Sequence, residues 1–514
     1  MKIKDIIAPS LLALAISPLA IAQDVSDYSE LKVITDDCGG AGCFDRRNLT
    51  SDQLQLVLDS AQAQARKSLN SESRNASSAS KGQGLAVGLG NNDTQVVYLD
   101  FDNSSPFFWA VIFGGQLAQF PNYEFSVEER NEIQRRLEAD YAGFDISFTQ
   151  TRPELGQFST LNFECEDQIC IDFTGGILFG RAQGIDIGNQ VRDDSAFVDA
   201  NLWSVFAQLD PSGNFLTSLS GIPVENGDVA AALSTATVNQ ASNTAAHELG
   251  HNLGLRHHDS FGSPGTGIPT TGVPSRFDFF PVFEGLADGD EAQLHMMASG
   301  ASVGIGLSDS TLRDRFFSER SVIKLAAGER PRLVTESSVT GGNKLVHLRK
   351  VVAPNTLIEG ENADGKLAIN EALIRGRIDQ SGEVDSYRFR GKGGSFVSAE
   401  FNGFDVPVGE PVIGAVSLYL ELGDGSSELV AENFQNFEGF DALLIDAELP
   451  VDGIYRLEVS APNLLSFGYD SAGNPQLFPL DETGNGSLRT GDYNLSLYQV
   501  DGKPGQGVSS VPGS

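Results

Sequence analysis

The chain carries six histidines. Four of them stand in one stretch, His247-Glu248-Leu249-Gly250-His251-Asn252-Leu253-Gly254-Leu255-Arg256-His257-His258-Asp259. The run before it, Thr237 to Ala246, is rich in helix-compatible residues, with Asn239 or Ser242 as candidate N-caps. Residues four apart share a helix face, so His247 and His251 can present their rings to a single zinc ion. Glu248 is offset around the helix, where its carboxylate meets a water instead of the metal. Gly254 tolerates positive φ, so the helix can stop there and the chain can turn His257 back as a third ligand. Three protein nitrogens leave a fourth position open, the mark of catalytic rather than structural zinc. The chemistry implied is hydrolysis. Zinc lowers the pKa of a bound water to about 7 and polarises a carbonyl. Glu248 takes the proton as the water attacks and delivers it to the leaving amine. His258 is off this spacing and is expected outside the ligand set, as a supporting or surface residue. Asp259 either orients a ligand histidine or lies in a surface turn.

The set His247, Glu248, His251, Gly254 and His257 resembles the extended motif of the metzincin clan of zinc endopeptidases. The resemblance implies a methionine in a tight turn beneath the zinc. Besides the initiator, the methionines are the adjacent Met296 and Met297, in His295-Met296-Met297-Ala298-Ser299-Gly300. Met297 is favoured as the Met-turn residue because small residues follow it, with Met296 the alternative. Leu312 to Leu325 would then form the closing helix. No tyrosine follows at the position where some members supply a fifth ligand. Asp259 to Leu294, rich in Gly and Pro, is an insertion between third ligand and Met-turn, expected to shape one side of the cleft.

These groups need a scaffold. Val96 to Phe101 reads as a buried strand by its β-branched and aromatic content. Phe107 to Phe113 is another apolar run. Ser126-Val127-Glu128-Glu129 forms a capping box that opens a helix to about Tyr141. Strands follow at 145–149, 160–164, 169–173 and 195–200. The strand-helix-strand opening is similar to the metzincin N-terminal subdomain, so the likeness spans about 95–330. From about 370 helical periodicity gives way to short alternating strands, at 384–389, 416–422, 443–447, 454–459 and 493–498, the pattern of a β-sandwich. Gly376-Arg377-Ile378, Asp452-Gly453-Ile454-Tyr455 and Gly491-Asp492-Tyr493 lead into such strands and resemble the bacterial pre-peptidase C-terminal domain. In that family the domain accompanies secreted peptidases and is often removed on maturation. The expected fold is therefore an α+β metzincin-like catalytic domain, a mixed twisted sheet with packed helices, followed by an all-β sandwich. A chain ending near residue 340 is expected to keep its activity, since every proposed catalytic group lies between 247 and 297.

The expected organisation is a signal peptide at 1–22, a leader or propeptide with linker at 23–92, the catalytic domain at 93–335, a linker at 336–368, the sandwich at 369–500 and a disordered tail at 501–514. Lys2 and Lys4, an apolar stretch from Ile6 to Leu19, and Ala20-Ile21-Ala22 make a secretory signal, with an uncleaved anchor as the alternative. A helix is expected over 52–67 and a flexible linker over 71–84. An exported chain with Cys38, Cys43, Cys165 and Cys170 favours two local disulfides over a four-cysteine zinc site. The net charge of −34 argues against nucleic acid and anionic membranes as partners. The reading is a secreted zinc endopeptidase acting on protein or peptide, with one catalytic Zn2+; Ca2+ is left open, without a residue pattern that supports it. The alternatives are a secreted binding or adhesion protein with a vestigial zinc site, and a hydrolase of non-peptide amides. The oligomeric state is left open.

Overall fold

The computed structural model describes residues 33–34, 94–102, 107–112, 116–164, 169–172, 176–260, 295–298, 311, 314–339, 344–353, 368–380, 382–403, 412–433, 441–461, 465–469, 475–479 and 490–500. The helix expected at 52–67, the linker at 71–84, nearly all of the 259–294 insertion and the tail lie outside these residues. So do Cys38, Cys43 and Cys165, and the side chain of Cys170.

Along the chain the elements of the first part are β1 (Val33–Ile34), β2 (Gln95–Asp100), β3 (Phe107–Ile112), β4 (Gln116–Pro121), α1 (Val127–Asp140), β5 (Ile146–Thr149), β6 (Ser159–Asn162), β7 (Ile169–Asp172), β8 (Gly176–Leu178), β9 (Gly180–Ala182), β10 (Ser195–Val198), α2 (Asn201–Leu209), α3 (Asn214–Ser220), α4 (Val229–Asn252) and α5 (Glu319–Gly328). The second part holds β11 (Leu333–Thr335), α6 (Glu336–Val339), β12 (Arg349–Val352), β13 (Ala368–Ile378), β14 (Val384–Gly391), β15 (Phe396–Asn402), β16 (Ala415–Glu421), β17 (Ser427–Asn433), β18 (Leu443–Glu448), β19 (Gly453–Ser460), β20 (Leu465–Tyr469), β21 (Pro475–Pro479) and β22 (Gly491–Val500). The whole is mixed α+β with several sheets and a β-rich C-terminal region. No helix among the described residues is long and apolar enough to cross a membrane.

The sheet that carries the site has the order β5-β2-β6-β10-β9. Its first four strands are parallel and β9 is an antiparallel edge. Parallel strands need a crossover, and α1 supplies one between β2 and β5. Its capping box forms: Ser126 Oγ accepts from Glu129 N–H and Glu129 Oε2 accepts from Ser126 N–H. Val97, Leu99 and Leu161 of the sheet pack with Ile133 and Leu137 of α1 and with Ala241, Ala245 and Leu249 of α4. The small alanines let α4 lie close to the sheet. A second sheet, β1-β8-β7-β3-β4, shares a cluster with α2 and α3 built around Phe108, Trp203 and Phe206.

Helix α4 starts earlier than its sequence reading. Asp228 caps it, accepting from Ala231 N–H, while Asn239 and Ser242 lie inside it. The Ala-rich run Val229 to Ala236 has the propensity to extend the helix. Asn239 instead donates sideways to the Thr311 carbonyl, and Ser242 donates back to the Val238 carbonyl. Helix α5 likewise runs over Glu319–Gly328, not Leu312–Leu325. Ser318 caps it by accepting from Ser321 N–H, and Phe316 just before it bridges His295.

Two C-terminal sheets, β11-β13-β22-β15-β18 with β12 on β13, and β14-β19-β16-β17, enclose one cluster that includes Tyr387, Leu418 and Leu457 with Ile374, Phe401 and Leu495. β11 pairs in parallel with β13, so the chain enters this region by residue 333. Ile369, Tyr498 and Val500 of the larger sheet turn into the first core beside Val322 and Ile323 of α5.

Candidate metal centre

Helix α4 carries His247, Glu248 and His251 in its final turns. It ends in a Schellman arrangement. Gly254 N–H donates to the His251 carbonyl and Leu255 N–H to the Gly250 carbonyl. Gly254 has φ +93°, and a Cβ there would lie 2.9 Å from Ile187 Cα. Glycine therefore meets both the backbone conformation and the close approach. The reversed chain returns His257 to the helix, and ligand-type atoms of His247, His251 and His257 lie within 4.8 Å of one another.

The ring orientations follow from the partners of Nδ1. His247 Nδ1 is 2.7 Å from the Met296 carbonyl oxygen, and His251 Nδ1 is 2.9 Å from the Leu255 carbonyl oxygen. A carbonyl only accepts, so both Nδ1 atoms carry a proton, and Nε2 is the atom each ring turns toward the other. Those two Nε2 atoms sit 3.0 Å apart. Two ring nitrogens at that distance need a cation between them, a shared proton or a metal ion. Zinc holds imidazole nitrogens at about 2.0–2.1 Å, which puts tetrahedral ligand nitrogens about 3.3 Å from one another. The donor set fits such an ion, and the backbone carbonyls are the outer partners that fix ligand tautomers.

Met296 and Met297 are fully buried. Their roles differ. The Met296 carbonyl holds His247, while a Cβ on Gly250 would lie 2.7 Å from Met297 Sδ. Met297 thus packs against α4 between His247 and His251. His295 Nδ1 reaches the Ser260 carbonyl, tying this turn to the one after His257, and burial pushes the His295 pKa down to about 4. Glu248 is buried, and a Cβ on Gly180 of the edge strand β9 would fall 2.5 Å from its Oε1. The edge strand therefore passes directly over the carboxylate.

His258 and Asp259 are not on the surface: they are 1% and 0% exposed. The turn after His257 is covered by the C-terminal region, which is why an exposed-loop reading fails there. Asp259 accepts from Arg256 N–H and from Lys324 Nζ, at 2.7 and 2.9 Å. Burial alone would raise its pKa, but the Lys324 ammonium and the His258 ring hold it well below the usual carboxylate range. Sequence reasoning missed Lys324, Arg256, Glu400 and Asp441 altogether. No local signal marks them, because their partners lie far along the chain.

No family model matches the chain, and no curated protein matches it. Among solved structures 26 chains match. One neighbour is the pre-peptidase C-terminal domain of a collagenase from Bacillus anthracis, 18% identical over 25% of this chain and 88% of that one, with a TM-score of 0.15. Another is a protein from Sulfurospirillum deleyianum, 9% identical over 26% of this chain and 99% of that one, with a TM-score of 0.14. At these scores neither carries an argument about fold or activity.

Proposed function

We propose that the chain is an exported zinc-dependent endopeptidase with a metzincin-like catalytic region, and that His247, His251 and His257 hold the metal. The observation that supports this reading is the convergence of three buried histidines, with His247 and His251 Nε2 3.0 Å apart, ligand-type atoms of all three within 4.8 Å, and the only carboxylate of the motif adjacent. Bound there, zinc would supply Lewis acidity toward a carbonyl and acidify a water. The chain's own groups do the rest. Glu248 accepts a proton from the attacking water and returns it to the leaving nitrogen. The carbonyls of Met296 and Leu255 keep His247 and His251 in one tautomer and one orientation. Met297 packs against Gly250 of α4 between them. Edge strand β9 offers backbone N–H and C=O groups beside Glu248, and an extended peptide can pair with such an edge.

The test is Glu248→Gln, which keeps shape but cannot take the proton. The variant is expected to bind one zinc per chain and to lose about 10²–10⁴-fold in peptide cleavage. Zinc content and turnover are measured on the same preparation. Near-normal turnover with full zinc removes Glu248 as the base, and loss of zinc makes it a ligand. A wild type that holds zinc and cleaves no peptide favours the binding-protein reading.

A further inference from the structure

The turn that returns His257 is gripped from the far end of the chain. Arg256, immediately before His257, is 1% exposed. Its Nη2 donates to Asp441 Oδ2 at 3.0 Å, and its Nε lies 3.7 Å from Glu400 Oε2. Asp441 and Glu400 belong to the C-terminal β region, and each side chain is about 1% exposed. Lys324 of α5 bridges the two regions, with Nζ 2.9 Å from Asp259 and 2.7 Å from Glu400. Arg320 forms a two-pronged pair with Asp446 at 2.8 and 2.7 Å. Asn402 donates to the Ile185 carbonyl, next to Asp186, whose N–H donates to the His251 carbonyl.

These contacts form a buried seam with charge on both sides. Arg256 and Arg320 are desolvated in the first part of the chain and paired by carboxylates of the second, while Lys324 is shared between Asp259 of the first and Glu400 of the second. Removing one partner of a buried pair is costly because the other stays charged and unpaired. The seam is flanked by apolar contact, since Tyr498, Val500 and Ile369 complete the core under α5. A detachable accessory domain would meet its neighbour through a wetter, more polar surface.

We infer that Asp441 and Glu400 are positioning residues for the metal ligand His257, acting through Arg256, and that the C-terminal β region is a fixed half of the metal centre. The inference rests on the zinc reading above. It reverses the expectation that a chain ending near 340 keeps its activity. The backbone between Gly254 and Ser260 is bonded at both ends, to α4 on one side and to Ser318, Ser321 and His295 on the other; at its middle Asp259 Oδ2 caps Arg256 N–H, and that carboxylate is itself set by Lys324. With Asp441 and Glu400 gone, the guanidinium beside His257 would seek water and carry the ligand with it.

The test uses the full chain. Asp441→Asn keeps the hydrogen bond from Gly403 N–H to Oδ1 and removes the charge facing Arg256. Glu458→Gln, in a half-exposed pair with Arg456 on β19, is the control. Zinc affinity is read by competition with a chromophoric chelator, and ligand geometry by the visible absorption of the Co2+ form. Both tryptophans, Trp109 and Trp203, lie in the first part of the chain, so their fluorescence reports whether it is folded. Asp441→Asn is expected to stay folded, bind zinc about 10–100-fold more weakly and show an altered cobalt spectrum. The control should match wild type. Wild-type affinity and spectrum in Asp441→Asn overturn the inference. Wild type that takes up neither metal fails the zinc reading instead. If Asp441→Asn does not fold, hydrogen exchange of the wild-type chain in rising denaturant decides. Helix α4 and strands β14–β19 should lose protection together as zinc is released. Opening of the strands with zinc still held overturns the inference.

Discussion

Two groups of buried, metal-type side chains lie side by side: His247, His251 and His257, and His258, Asp259 and Glu400. Each brings its ligand atoms within 4.8 Å. In the first, ring nitrogens converge on one another. In the second, the Lys324 ammonium already sits against both carboxylates. A lysine at 2.7–2.9 Å supplies the positive charge that a metal would otherwise bring. Convergence of ligand atoms is therefore not enough to make a metal site. What separates the two groups is whether the chain has filled the charge requirement itself.

The largest effect should come from the pair His257 and His258. His257→Ala is expected to abolish tight zinc binding and with it all measurable cleavage, because three ligands fall to two. His258→Ala should keep one zinc per chain by metal analysis. The opposite pattern would exchange the roles of the two groups. Next in size, Lys324→Met leaves Asp259 and Glu400 buried against each other without their ammonium. It should lower unfolding stability by about 3–5 kcal/mol, read by urea denaturation of the metal-free chain. A change below about 1 kcal/mol would show that the second group needs no lysine. His258→Ala should cost less, about 1–3 kcal/mol, through loss of its partner contact with Asp259.

A third carboxylate sharpens the comparison through pH. Asp140, at the end of α1, is buried as Asp259 is, yet its pKa is pushed up to about 8. Burial is the main cause, Asp314 adds to it, and Arg136 and Arg135 only partly oppose it. The folded chain then holds a proton that the unfolded chain releases near pH 4. Stability from this group is thus present at low pH and lost as pH rises from about 4 to about 8. Asp140→Asn should flatten that slope and raise stability near pH 7 by about 1–3 kcal/mol. Melting temperatures across that range provide the check, and an unchanged slope would count against a proton on Asp140.

The helix that carries His247 and His251 was legible because its information is local. Spacing by four places His247 and His251 on one face, and Gly254 ends the helix by backbone geometry alone. The strands at 95–100, 146–149, 384–391 and 453–460 were legible from β-branched and aromatic alternation. Shorter edge strands such as Gly180–Ala182 were not, since a glycine, an arginine and an alanine carry no β signal. Gly180 is there because Glu248 occupies the space of its Cβ. The early start of α4 was hidden by Asn239 and Ser242, which look like caps until their lateral partners are known.

What the sequence by itself determined is the set of groups that can do chemistry and the helical register that aligns them. A 3.6-residue period and a glycine stop act within a few residues and need no distant contact. The tertiary structure alone decided which neighbours those groups keep. It put Met296 on His247, β9 over Glu248, and Asp441 and Glu400 behind Arg256, across 185 residues in the case of Asp441. Arg256, Lys324, Glu400 and Asp441 each look in sequence like ordinary surface charges. Only the apposition of two hydrophobic cores removes water from around them. Once the water is gone, the strength of a charge pair is set by distance and burial, quantities that a linear chain does not contain.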